Sequence, residues 1–369
     1  MSPRLLGHAL AVVLAALSAS ATAAEPKGAC DWPLSRGNPF QTGAAAASLP
    51  DTLASRWQFV CNNPIDTAPA IIGDTVLVAS KDNFLYALSL ADGKEKWKYR
   101  AAPFNAPPSV ADGMIYIGDA DGVFHCIDLA SGKARWTAEI GGSITSGANF
   151  TPEAVLFGSD DTLHCLSRAG KPLWKFKISG GPVLSSPAVI GTRAFASGCD
   201  KVLHVIDTNN GKEVSAVPLG GQTAGAPAVE DDRIYLGTMS SEALAIDWKK
   251  SEVLWRYKSN QAFYASTALG GSLVVIGGRD KRIHAIDRKT GKKAWTFATK
   301  GKVDSSPVIA GTRVYAASLD GNLYVLDLEK GTELAKVRLD SPVFGSPAVG
   351  GGCLVVSTLR GVTYCLGAK

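Results

Sequence analysis

The sequence predicts an all-β chain folded as an eight-bladed β-propeller of four-stranded antiparallel blades, and three observations carry that prediction. First, "YALSLADGKEKW", "HCIDLASGKARW", "HCLSRAGKPLW", "LAIDWKKSEVLW" and "HAIDRKTGKKAW" are copies of one segment, ending at Trp97, Trp136, Trp174, Trp255 and Trp295. Second, Trp57 opens the series, and two degenerate copies put Ser215 and Ala335 in the tryptophan slot. The steps are then 40, 39, 38, 41, 40, 40 and 40 residues, a regularity that marks a repeat architecture. Third, each period holds short runs of alternating apolar and polar residues and no helical spacing over ten or more residues.

In chain order, the first segment is "MSPRLLGHALAVVLAALSASATAA", with a basic start, an apolar stretch and small residues ahead of Glu25. It reads as a secretory signal over residues 1–24, cleaved near Ala24 and too short to span a membrane. No later stretch approaches 18 apolar residues, so the mature chain is expected to be periplasmic or secreted and not membrane-spanning. Residues 25–54 form a leader, and the repeats fill 55–369.

One period, "KAWTFATKGKVDSSPVIAGTRVYAASLDGNLYVLDLEKG", parses into four strands joined by turns in which Gly supplies positive φ. Its "SSPVIA"-type run occurs eight times, beginning at "TAPAII" and ending at "GSPAVG". The last copy lacks its outer strand, and the strand around Trp57 lacks a preceding blade. The two defects cancel if the N-terminal strand completes the last blade and closes the ring. Trp57, Trp97, Trp136, Trp174, Trp255 and Trp295 then have a structural docking role. A Gly four residues before each slot (Ser251 once) lets an indole lie on the turn of the adjacent blade, its N–H on a backbone carbonyl.

The motif Ala-x-Asp-x-x-Thr-Gly-Lys-x-x-Trp, complete from Ala285 to Trp295, resembles the tryptophan-docking repeat of the PQQ-like propeller family. That family includes quinoprotein dehydrogenases and BamB-type outer-membrane assembly factors. "DWPLSRGNPFQTG" resembles the Trp-Pro-x-x-Arg-Gly leader of secreted members. The resemblance covers residues 55–369 and implies the fold strongly, but function only weakly, because enzymes and scaffolds share it.

Quinoprotein dehydrogenases hold calcium-bound PQQ at the ring centre and often carry adjacent cysteines. This chain has no Cys-Cys pair and no Cys-x-x-Cys-His site, and none of its residues matches the family's calcium or catalytic positions. Neither catalytic, cofactor nor metal residues are therefore assigned. His125, His164, His204 and His284 share one slot that other blades fill with Tyr86, Tyr324 and Tyr364. They read as packing residues, since adjacent sheets lie ~10 Å apart and zinc ligands must sit at ~2.0–2.1 Å. Cys126, Cys165 and Cys365 likewise replace a small core alanine. Cys30 and Cys61 lie outside the repeat and form the candidate disulfide in an oxidising compartment.

A net charge of +5 spread without a basic run does not indicate nucleic acid as a partner. Function is expected on the loops between outer and inner strands and between second and third strands. There Arg100, Lys258, Arg279, Lys281, Arg282, Lys300 and Arg360 are interspersed with Phe104, Phe263, Tyr264 and Phe344. Such a rim suits a protein segment of the envelope or an anionic glycan. The sequence thus favours a non-catalytic, monomeric scaffold or binding protein without cofactor, with outer-membrane protein assembly as a candidate setting. The alternative is a small PQQ- and calcium-dependent oxidoreductase.

Overall fold

The computed structural model describes residues 31–368, and these form eight blades of four antiparallel strands, one extended by a short parallel strand, with no helix among the described residues. Blades 1 to 7 span 70–100, 109–139, 149–177, 188–218, 228–258, 268–298 and 308–338. Blade 8 takes three strands from 348–367, and its fourth is the N-terminal strand Ala54–Val60, paired antiparallel to Val362–Gly367. Innermost strands touch their neighbours at six of the eight seams, including the first against the last. The expected eightfold ring and its closure are therefore both present.

Burial explains the sequence pattern of each strand. Second and third strands are covered on both sides by neighbouring blades, so Thr75–Ala79 and Phe84–Ser89 are buried almost throughout. Outer strands such as Glu95–Arg100 alternate between half-buried and exposed residues, as a strand with one wet face should. In all eight blades the outer pair carries a register shift just ahead of the tryptophan slot, as between Ala134 and Trp136. A bulge there increases the local twist and re-aims the following side chain.

The indoles then reach the next blade. Trp57, Trp97, Trp136, Trp174, Trp255 and Trp295 donate from Nε1 to the carbonyls of Leu90, Leu129, Arg168, Thr208, Arg288 and Leu328, at 2.8–3.1 Å. Each ring covers the turn glycine of that blade; a Cβ on Gly331 would lie 2.3 Å from Trp295. Only a residue without a side chain, at φ +68°, fits there.

Candidate binding face and ring axis

Innermost strands turn one row of backbone groups toward the axis, and an unpaired edge of this kind needs partners. The leader supplies them in ring order. Trp32 exchanges both backbone bonds with Ile71 of blade 1. The carbonyls of Pro33, Pro39, Phe40, Thr42 and Gly43 accept from Val110, Val189, Val229, Leu269 and Ile309, in blades 2, 4, 5, 6 and 7. Blade 3 reaches the same path through Asn149, whose amide donates to Pro39 at 2.7 Å. Ala44–Ala45 then runs parallel to Val308–Ala310, and the chain leaves for the rim.

Each residue of the Trp-Pro-x-x-Arg-Gly leader has a place in this plug. Gly37, at φ +86°, lies under the ring of Trp32, where a Cβ would approach it to 2.8 Å. Arg36 turns into the axis and is 2% exposed. Its guanidinium donates to the carbonyls of Pro307 at 2.6 Å, Thr267 at 3.1 Å and Ser306 at 3.4 Å, and meets no carboxylate among the described residues. Burial pushes its pKa down to about 9, so it stays charged at neutral pH. Around it the hydroxyls of Ser186, Ser266, Ser306 and Ser346 accept backbone N–H bonds from the equivalent position one blade earlier. A cavity of about 110 Å³ remains where the two ends of the leader approach Val349 of blade 8.

This centre does not fit a calcium-held quinone. Its charged group is a guanidinium already committed to three carbonyls. The carboxylate of Asp304, two residues before Ser306, forms a two-bond pair with Arg279 at 3.0 Å. Among the described residues no three His, Cys, Asp or Glu side chains converge as a metal site.

The histidine slot forms a repeated polar contact. His125 pairs with Asp119 at 3.0 Å and His284 with Asp280 at 3.0 Å, while Tyr86 and Tyr324 donate to Asp82 and Asp320 at 2.8 Å. His204 joins Asp200 and Glu213, both at 2.6 Å, and His164 stacks on Phe157. Sequence reading saw the packing but missed the carboxylate, although an Asp four residues before the slot recurs in six blades.

On the loop face, Arg100, Lys258, Lys281, Arg282, Lys300 and Arg360 are exposed and have no carboxylate within ion-pair distance among the described residues. Lys258, Lys281 and Arg282 fall on blades 5 and 6 and Lys300 on the loop from blade 6 into blade 7, whereas Arg360 and Arg100 lie on blades 8 and 1. Arg279 is not free: besides Asp304 it stacks on the half-buried Tyr264, 3.4 Å from the ring centre. Phe104 does not belong to the face. It is fully buried, as is Phe263, and the two pack against His125 and His284. Their position holds Ile65, Ile144, Val183, Val303 and Val343 in other blades, all buried. That recurring apolar slot was the signal that both phenylalanines are core. Phe344, 41% exposed, is the aromatic left to solvent.

Cys61 is buried and bonded to no cysteine among the described residues, and its proposed partner Cys30 lies outside them.

The profile of the PQQ-repeat family described as outer membrane protein assembly factor BamB matches residues 42–159, 159–278, 252–334 and 279–368. No curated protein sequence matches the chain. Among solved structures, BamB from Moraxella catarrhalis is 20% identical with a TM-score of 0.75, covering 86% of this chain and 98% of that one. A europium-containing methanol dehydrogenase is 13% identical with a TM-score of 0.80, covering 93% and 99%. The computationally designed Ika8 protein is 14% identical with a TM-score of 0.77, covering 85% and 99%. At these identities the likeness is one of fold alone. Because the family profile runs across nearly all of the described ring, the chain belongs to the family described as outer membrane protein assembly factor BamB.

Proposed function

We propose that the protein is an exported, non-catalytic scaffold that binds another protein of the cell envelope, in the setting of outer-membrane protein assembly. The observation that carries this reading is the axis. The leader hydrogen-bonds the inner edges of seven blades, and the two terminal nitrogens of Arg36 donate to carbonyls there, so the ring presents a face and not a central pocket. The exposed cations from blade 5 to the loop entering blade 7 give that face its charge, and Phe344 contributes apolar surface elsewhere on it. Membership of the family supports the same setting, and the signal-like residues 1–24 are consistent with a periplasmic location.

The test is site-specific photocrosslinking in cells, with probes at Lys258, Lys300 and Phe344 on the loop face and at Lys289 on the opposite face. Adducts to an envelope protein from the first three positions and not from Lys289 are expected. Adducts from Lys289 alone overturn the choice of face. Dye-coupled turnover by the purified protein supplied with PQQ and calcium would replace the scaffold reading with the oxidoreductase one.

A further inference from the structure

The loop face carries charge of both signs, sorted by sector. On blades 2 and 3 the exposed Asp121, Glu139 and Asp160 have no cation within ion-pair distance among the described residues, while Asp161 beside them is paired with Lys177. Their loops form one patch. The Ile140 N–H donates to the Gly122 carbonyl at 2.9 Å, and the Asp160 carboxylate lies against Gly142. From blade 5 to the loop entering blade 7 the sign reverses. Lys258, Lys281, Arg282 and Lys300 are exposed and unpaired there among the described residues, and their loops are tied in turn. Ser259 donates to Asp280 at 3.2 Å, and the Thr299 N–H donates to the Lys281 carbonyl at 2.8 Å. Nearby carboxylates are already engaged: Glu242 by Arg256, Asp280 by His284 and Asp304 by Arg279.

In a ring of eight, blade 2 lies across the axis from blade 6 and blade 3 from blade 7, so the two patches occupy nearly opposite sectors of one face. The repeat steps of 38–41 residues leave no long insertion on either sector to hold another surface away. A twofold axis in the plane of contact, crossing the ring near blades 4 and 8, lays the acidic patch of each copy on the basic patch of the other. Both contacts form at once, as in the isologous interfaces of most homodimers. A foreign partner would have to match two separate patches of opposite sign, whereas a second copy carries both already. Phe344, 41% exposed on the loop into blade 8, lies between the two sectors and near that axis. It supplies apolar surface at the middle of an interface whose rim is charged.

We propose that the loop face is self-complementary and that a second copy of this chain docks on it face to face. Such a dimer covers the surface assigned above to an envelope protein, so that partner has to displace the second copy. Charges on the rim of an interface speed encounter and fix register, and salt screens them. The dimer is therefore expected to form at low ionic strength and to fall apart as salt rises.

The test is the oligomeric state of the purified protein, read by sedimentation and light scattering. It is measured at about 20 mM and about 500 mM salt, between which the Debye length falls from roughly 20 Å to roughly 4 Å. A dimer at low salt and a monomer at high salt are the expected result. One variant combines Asp121→Lys, Glu139→Lys and Asp160→Lys, and a second combines Lys258→Glu, Lys281→Glu and Lys300→Glu. Either alone sets like charge against like, and should raise the dimer Kd by about a hundredfold or more. Mixed in equal amounts, the two variants should form a heterodimer, because every patch again meets its opposite. All six positions are exposed, and unchanged melting temperatures show that both variants are folded. A monomer at both salt concentrations overturns the proposal. So does a dimer that either variant leaves intact, or a pair of variants that stay apart on mixing.

Discussion

Six of the eight seams between blades are closed by an indole and two are not, and the two exceptions fail on both sides at once. Between blades 4 and 5 the tryptophan slot holds Ser215, and the turn it would cover has Ser251, at φ +55°, in place of glycine. Between blades 7 and 8 the slot holds Ala335, and there is no turn to cover, because blade 8 takes its outer strand from the N-terminus. The bulge that aims the slot survives at both seams. The docking contact is therefore a two-part lock: an indole gains little without a turn that lacks a Cβ, and such a turn gains little without the indole. Each exception also has a substitute. At the first, Trp248 packs edge-on against Phe195 at 5.2 Å and donates to the Asp231 carbonyl. At the second, Leu49 and Leu53 of the outgoing leader join the cluster that holds Ala335.

The largest expected effect comes from opening a lock at the ring closure. Trp57→Ala removes the most deeply buried of the docking indoles and should cost ~3–5 kcal/mol, read as a lowered urea midpoint at unchanged slope. An unchanged midpoint would break the comparison outright. Gly331→Ala attacks the other half of a lock, forcing a Cβ against Trp295 at positive φ, and should cost about 2–4 kcal/mol. The unlocked seam sharpens the argument further. Ser215→Trp alone should be near neutral, while its combination with Ser251→Gly should show a favourable coupling of about 1 kcal/mol in a double-mutant cycle. Strict additivity would mean that the two losses are unrelated.

The smallest effect is a dependence on pH. Burial lowers the pKa of His164 and His284, and His284 contacts Tyr257 and Phe263 at the seam from blade 5 to blade 6. A folded pKa below the unfolded value means that the unfolded chain takes up protons first. Stability is thus full above about 6.5 and falls as pH drops below it, by at most about 1.4 kcal/mol per pH unit for each group until its folded pKa is reached. Melting temperatures between pH 7.5 and 5 check this, with His284→Tyr, the residue of Tyr86 and Tyr324, expected to flatten the slope.

The ring, its blade number and the Trp–Gly contacts were legible because each depends on side chains repeated at a fixed period. The leader's route was not, since its bonds to blades 1, 2, 4, 5, 6 and 7 run through backbone carbonyls that any residue possesses. Arg36 was visible as part of a motif, yet nothing in the sequence places a cation on an axis 230 or more residues downstream of it. On the loop face the exposed cations could be read one by one, but the core position of Phe104 and Phe263 required comparing loops across blades.

The closing pair of strands, Ala54–Val60 and Val362–Gly367, also sets a timetable. The segment synthesised early is the one whose partners are made last, so neither the outer edge of blade 8 nor the blade 7 end of the plug can form until nearly the whole chain has emerged. Joining ends this distant carries a large loop-closure entropy and belongs to the slow, non-local class of folding steps. Until that moment the waiting strand is an open edge, able to pair with the wrong neighbour. For a protein of this shape, then, the hazardous interval is the wait before closure, and a chaperone would act most usefully by shielding residues 54–60 until blade 8 is complete.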